Sequence, residues 1–259
     1  MTVSASTVQS VDRALTVLTL LARHGELGVT ELALLLDVHK STAFRLVTTL
    51  EQHELVEQHS DRGKYRLGIG LLRLAGATTA RLDIVQHSRP VTRRLAEELG
   101  ETVNITVLSG HEALYLDQTA ATAALQPHNW VGQRIPLHAT SNGKVLLAHV
   151  SDKRFAELTA RPLHRFTDHT TTDVATLRAQ VEAVRRDGYA IAVDELEIGL
   201  TAVAAPITAS DGEIAGSVSA SGPTFRIPAD RVSDVATKVV EAGRQISHRL
   251  GWHGLSKPS

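Results

Sequence analysis

"VHKSTAFRLVTTL", Val38–Leu50, decides how the first third of the chain is read. Its apolar residues recur at helical spacing, with Phe44, Val47 and Leu50 in one stripe and Leu46 beside it. Thr42, Arg45 and Thr49 fall on the other side. The first turn is of a different kind. His39, Lys40, Ser41 and Thr42 form a lip of basic and small hydroxyl groups. A helix that only completes a core has no use for such a lip. A helix whose front meets phosphate does, because its first-turn N–H groups point at the anion and the helix dipole favours negative charge there.

The flanking residues give that helix a setting. Ser10 is expected to N-cap a helix running to about Arg23 and stopping near His24-Gly25, with Val11, Leu15, Leu18 and Ala22 at helical spacing. Gly25 and Gly28 mark a loop. Thr30 is expected to cap a short second helix, Glu31 to Leu36, whose Leu32, Leu35 and Leu36 face inward; Asp37-Val38 is a tight connection. Beyond the opening segment, Leu55–Gln58 and Lys64–Leu67 read as strands around the polar loop "HSDRG", where Gly63 can take a positive φ.

Three short helices and a basic hairpin make a winged helix-turn-helix, whose third helix enters the DNA major groove by its N-terminal end. The candidate DNA contacts are Thr30, His39, Lys40, Ser41, Thr42 and Arg45, with Arg62 and Lys64 on the wing gripping phosphate or the minor groove. Glu51, Glu54 and Glu57 lie at the far end of the helix and beyond it, where they need not face DNA. The same pattern also suits a three-helix module that binds a protein partner through a solvated polar face.

Composition limits the alternatives. The chain has 259 residues, 42% of them apolar, enough for one large domain or two ordinary ones with a sizeable core. It lacks an apolar run long enough for a membrane span. The opening "MTVSASTVQS" lacks the basic end and apolar stretch of a secretory signal, so a cytoplasmic protein is expected. The absence of cysteine excludes disulfides, thiolate metal sites and cysteine nucleophiles. Formal net charge is −1, and residues 1–75 carry eight Lys or Arg against eight Asp or Glu. Any basic surface must therefore come from the arrangement of charges, not from their sum.

The stretch "VDRALTVLTLLARHGELGVTELALLLDVHKSTAFRLVTTLEQHELVEQHSDRGKYRLGIGLLRLA" resembles the N-terminal domain of the IclR family of bacterial transcription regulators. The resemblance continues in "IPLHATSNGKVLLA", "RRDGYAIAVDELEIGLTAVAAPI" and "GSVSASGP", in order and spacing, from about Val8 to Trp252. It implies a homodimer or dimer of dimers on a pseudo-palindromic double-stranded DNA operator, under control of a small-molecule effector. Repression of a catabolic or metabolic operon is the expected mode, and activation stays open. No cofactor is expected.

Read on its own, the remainder is mixed. Gly68 to Leu99 is mostly helical. Leu71, Leu72, Leu74 and Ala75 suit a linker helix packing on a partner, and Pro90 is expected to open or kink the next helix. Thr102–Leu108 and Glu112–Thr119 alternate as strands about the turn Ser109-Gly110-His111. A long Gly- and Pro-containing segment precedes Asn142-Gly143-Lys144, which leads into a helix; such loops in compact domains are often functional. A helix from about Asp173 to Asp187, strands at Tyr189–Val193, Thr201–Thr208 and Glu213–Ser221, and a closing helix from about Ala229 to Leu250 complete an α+β pattern. The resemblance implies that this is a GAF-like effector-binding domain with a curved antiparallel sheet. The expected boundaries are 8–70 for the DNA-binding domain, 71–82 for the linker helix and 83–252 for the effector domain.

Carried over from the resemblance, Ser219 and Ser221 match two strand hydroxyls that contact the effector; their i, i+2 spacing puts both on one strand face. Ser141, Asn142 and Gly143 match the loop whose amides receive a carboxylate. Trp130 lies where an apolar lid would be, and Asp194 and Ala202 complete the candidate set. Asp194 and Glu195 also read as loop-orienting or solvated carboxylates. Relative to the glyoxylate- and pyruvate-responsive pattern, Ala192 replaces an aspartate and Ala202 a cysteine. The two changes predict a larger or more apolar effector, with an aromatic acid as the expected class.

Enzyme readings fail on spacing. Ser141 to Lys144 is formally S-x-x-K, but the S-D-N and K-T-G elements that this chemistry needs do not occur. There is no G-x-S-x-G, no H-E-x-x-H and no phosphate-binding P-loop. The thirteen histidines are scattered, and near pairs such as His164 and His169 are five residues apart, off a common helical face. Neither catalysis nor a metal site is expected.

Overall fold

The computed structural model describes residues 8–59, 63–76, 79–120 and 129–252. The chain divides into two compact units, one up to Thr79 and one from Ala80 onward.

In the first unit, α1 (Gln9–His24) places Val17 and Leu21 in the core and ends at Gly25, whose φ is +77°. Val8, not Ser10, occupies the N-cap position. A short strand that the sequence did not announce follows, β1 (Glu26–Gly28), where a loop was expected. Next come α2 (Val29–Leu35), α3 (Lys40–Gln52), β2 (Val56–Gln58), β3 (Lys64–Leu67) and α4 (Gly70–Gly76). Strand β3 pairs with both β1 and β2, so the wing is three-stranded. Gly63 turns into β3 with a φ of +63°.

Three further expectations about this unit change. Thr30 does not cap α2; the Glu31 carboxylate caps it, accepting from the Gly28 amide at 2.7 Å. Leu35 points to solvent, while Leu32 and Ala33 are buried. Phe44 is not core either: Ala43, Val47 and Leu50 are the buried face of α3, and Phe44 is 53% exposed. Ala33 of α2 and Ala43 of α3 are both buried in the same cluster, and Phe44 lies outside it.

The second unit is an α+β sandwich around a curled antiparallel sheet. Helix α5 (Thr79–Leu99) leads into β4 (Thr102–Ser109) and β5 (Glu112–Thr119). Pro90 lies inside α5 instead of opening it. Then come β6 (Arg134–Ile135), α6 (Ser141–Ala148), α7 (Asp152–Leu158), α8 (Val174–Asp187), β7 (Ala190–Val193), β8 (Leu200–Thr208), β9 (Ile214–Pro223) and α9 (Val232–Arg249). Asp173 caps α8 at one end and Gly188, with φ +81°, ends it at the other. Sheet order is β6-β5-β4-β9-β8-β7.

Alternation along the strands divides the core. Val103, Ile105, Val203, Ala205, Val218 and Ala220 pack with α5 and α9, whose Val91, Leu95, Val239 and Ile246 belong to the same cluster. Ala113, Ala190 and Ala204 pack with α6 and α8 instead, through Val145, Leu147, Leu177 and Val181. The sheet is therefore covered on both faces. Sheet and helix α6 together frame the cavity described next.

Candidate functional site

The front of α3 is open to solvent. His39, Lys40, Ser41 and Arg45 are exposed and Thr42 is half-buried. Among the described residues, Lys40 and Arg45 form no ion pair. Spacings of three and four put Lys40, Ser41, Phe44 and Arg45 on one side of the helix. Thr30 and Phe44 share a surface hollow with Lys40, Ser41 and Tyr65 between α2, α3 and the wing. Lys64 on the wing bonds Glu26 across the sheet at 3.4 Å. Arg66 takes Glu57 at 2.6 Å, and Glu54 pairs with Arg73 of α4, so these two carboxylates are neutralised within the unit. Arg62 lies outside the described residues.

In the second unit a cavity of about 60 Å³ lies between the sheet and the start of α6. Its sheet side is a cross-strand row: Ala192 faces Ala202, and Ala202 faces Ser221. Tyr115 of β5, Trp130, Ser141, Asn142, Glu195, Leu196 and Leu200 close it. Of the sequence candidates, Trp130, Ser141, Asn142, Ala202 and Ser221 come together on this wall.

The others have different places. Ser219 is bonded to Asn142, whose Nδ2 donates to Ser219 Oγ at 2.8 Å while its Oδ1 accepts from Ser217 at 2.9 Å. Asn142 thus fastens α6 to β9. Gly143 does not line the cavity, and its amide is taken by the N-cap hydroxyl of Thr140 at 3.1 Å. It must be glycine because a Cβ would sit 2.2 Å from the Leu137 carbonyl oxygen. Asp194 stays outside too. With φ +57° it holds the β7–β8 turn by accepting from the Gly199 amide at 2.7 Å and from Thr224 at 3.1 Å.

Sequence reasoning did not place Tyr115, Lys144 or His138 at or beside the cavity, and read Glu195 as loop-orienting or solvated, whereas Tyr115 and Glu195 line it. The Tyr115 ring lies 6.0 Å from the Trp130 ring, and burial pushes its phenol up to about 12. Lys144 donates to Glu195 Oε1 at 2.5 Å, both side chains being nearly sealed from water. Burial lowers the Lys144 pKa more than Glu195 raises it. Beside them His138 bonds the His164 carbonyl at 2.8 Å, and burial lowers its pKa as well. A long-range ion pair and a buried tyrosine leave no local spacing signal, so only the folded chain brings these groups together. Among the described residues no cluster of His, Asp or Glu could hold a metal ion.

An exposed, unpaired basic helix front beside a wing, and in a separate unit a small cavity walled by both polar and apolar groups, define a DNA-binding transcription regulator with a ligand-binding domain. The two halves match the "IclR helix-turn-helix domain" over residues 10–60 and the "Bacterial transcriptional regulator IclR C-terminal" over residues 76–248. The chain belongs to the IclR family of bacterial transcription regulators, a family that is not enzymatic. It is 37% identical to the HTH-type transcriptional regulator BhcR of Paracoccus denitrificans, over 93% of this chain and 86% of that one. Identity to the transcriptional repressor IclR of Escherichia coli is 32%, over 94% and 90%. Among solved structures, an IclR homologue from Microbacterium hydrocarbonoxydans complexed with 4-hydroxybenzoate matches with a TM-score of 0.83 and 28% identity, over 94% of this chain and 98% of that one. The Thermotoga maritima IclR matches at 0.78 and 25%, over 95% and 100%.

Proposed function

We propose that this regulator is a repressor of a catabolic or metabolic operon, that it binds a palindromic operator as a homo-oligomer, and that a small organic acid in the α6 cavity sets its grip on DNA. The carrying observation is the unpaired front of α3. Lys40, Ser41 and Arg45 sit exposed on one face, whereas Glu54 and Glu57 are already matched by arginines. Lys40, Ser41, Thr42 and Arg45 read the major groove, Thr30 and His39 flank them, and Lys64 and Arg62 hold phosphate or the minor groove from the wing.

The first turn of α6 favours an anion. A cavity of about 60 Å³ has the liquid volume of about two waters, the room of a small acid. The aromatic acid expected from Ala192 and Ala202 needs the Trp130 side to yield, and the 4-hydroxybenzoate bound by the Microbacterium relative makes that class a fair competitor. An effector changes DNA binding only through its different affinity for two arrangements of the DNA-binding heads.

A gel shift on the duplex flanking the regulator's own gene tests the reading. Binding should weaken steeply with salt, since phosphate neutralisation releases counterions, and should change when small organic acids are added. If no duplex is bound at any salt concentration, with or without acids, the N-terminal unit has another partner, a protein being the alternative.

A further inference from the structure

Two residues of the α6 cavity wall each carry a buried polar atom without a hydrogen-bond partner among the described residues. Among the described residues, eight buried side-chain nitrogens or oxygens lack a hydrogen-bond partner, and two of them, Ser141 Oγ and Glu195 Oε2, belong to this one wall. Both residues are buried, Ser141 at 1% exposure and Glu195 at 8%, with its side chain at 10%. Buried polar groups are ordinarily satisfied, so two orphans on one small cavity point to a ligand that supplies the partners.

The two atoms differ in what they ask for. The other oxygen of Glu195 is engaged by Lys144, so Glu195 stays the acceptor half of an ion pair and Oε2 can only accept. Ser141 Oγ can donate. Ser141 also stands in the first turn of α6, where negative charge is favoured. Next to Glu195, an acceptor-only group would set oxygen against oxygen.

We infer that the effector is a hydroxy acid: its O–H donates to Glu195 Oε2, and its carboxylate lies at the front of α6 and takes a hydrogen bond from Ser141 Oγ. In their unhydrated form, keto acids of the same size lack the donor. Sites built to bond a hydroxyl reject analogues without one far more strongly than apolar pockets reject a missing methylene. Lys144 acts here as a positioning residue, since it fixes which oxygen of Glu195 is left for the ligand. The inference rests on the reading that this cavity takes an organic acid.

The test is calorimetry of the full chain with matched pairs: lactate and pyruvate, glycolate and acetate, 4-hydroxybenzoate and benzoate. In at least one pair the hydroxy member is expected to bind ten-fold or more tightly. In Glu195→Gln the Lys144 ammonium should select the amide oxygen and leave the NH₂ facing the cavity, so the preference should vanish or invert toward the partner lacking the hydroxyl. Ser141→Ala should weaken both members of a pair by a similar factor. If the members lacking the hydroxyl bind as well or better in the wild type, or the Glu195→Gln ratio is unchanged, this inference falls while the organic-acid reading stands. If none of the six acids binds, both fall. Circular dichroism checks that Glu195→Gln folds; should it not, the wild-type ratios and Ser141→Ala decide.

Discussion

Lys144 Nζ lies 2.5 Å from Glu195 Oε1, joining a residue of α6 to one in the β7–β8 connection 51 positions away. Both side chains are almost wholly removed from water. Such a pair roughly cancels its own desolvation, but removing one partner strands the other charge. Lys144→Ala is therefore expected to cost about 3–5 kcal/mol, measured by urea denaturation. Lys144→Met combined with Glu195→Leu should lie much nearer the wild type. A single-variant loss below ~1 kcal/mol would mean that water reaches the pair.

His138 gives the domain a pH dependence of known sign. Burial holds its pKa below the usual 6.5, so the folded chain takes up this proton later than the unfolded chain. Its contribution is complete above 6.5 and is lost as pH falls through the lowered folded value. The denaturation midpoint should drop on acidification, and His138→Gln should flatten that drop. Identical slopes in the two proteins would refute the assignment.

Arg45 stands on the exposed face of α3 without an ion-pair partner among the described residues. Arg45→Ala should weaken operator binding by about 1–3 kcal/mol if it reads a base. An equal loss on random duplex, with a salt slope shallower by about one, would make it a phosphate clamp instead.

Phe44 is 53% exposed between Lys40 and Arg45 on that same face. A Phe side chain left in water forgoes about 1.5–3 kcal/mol of burial, which contact with a thymine methyl in the major groove would restore. Replacing operator thymines one at a time by uracil should weaken wild-type binding at one position per half-site. Phe44→Ala should be blind to that substitution. Equal sensitivity in both proteins would leave Phe44 without a base contact.

The proposed homo-oligomer has a candidate seam. Val8, Val11 and Leu15 are exposed at 65%, 54% and 59% along one side of α1, and Leu72 and Leu74 at 68% and 61% on the linker helix α4. Leu15→Glu with Leu72→Glu should lower the mass measured by light scattering and reduce operator affinity. An unchanged mass would place the seam in the effector domain.

Local chemistry settled much of this molecule. The helix-turn-helix, the wing hairpin about Gly63, the β4–β5 hairpin and α8 between Asp173 and Gly188 follow from periodicity, caps and turn residues within a few positions of one another. The two-part architecture and the family follow from those motifs in order. What the sequence left undecided depends on contacts between distant segments. Two stripes overlap on α3, and only packing with the rest of the unit decides that Ala43, Val47 and Leu50 are buried and Phe44 is not. Pairing with β3, some 38 residues on, makes a strand of Glu26–Gly28. Glu195 becomes a pocket residue because folding brings Lys144, 51 positions away, against it, and Asp194 becomes scaffold in part through Thr224, 30 positions on. Propensity acts over a turn or two of chain, whereas burial and charge pairing act through space.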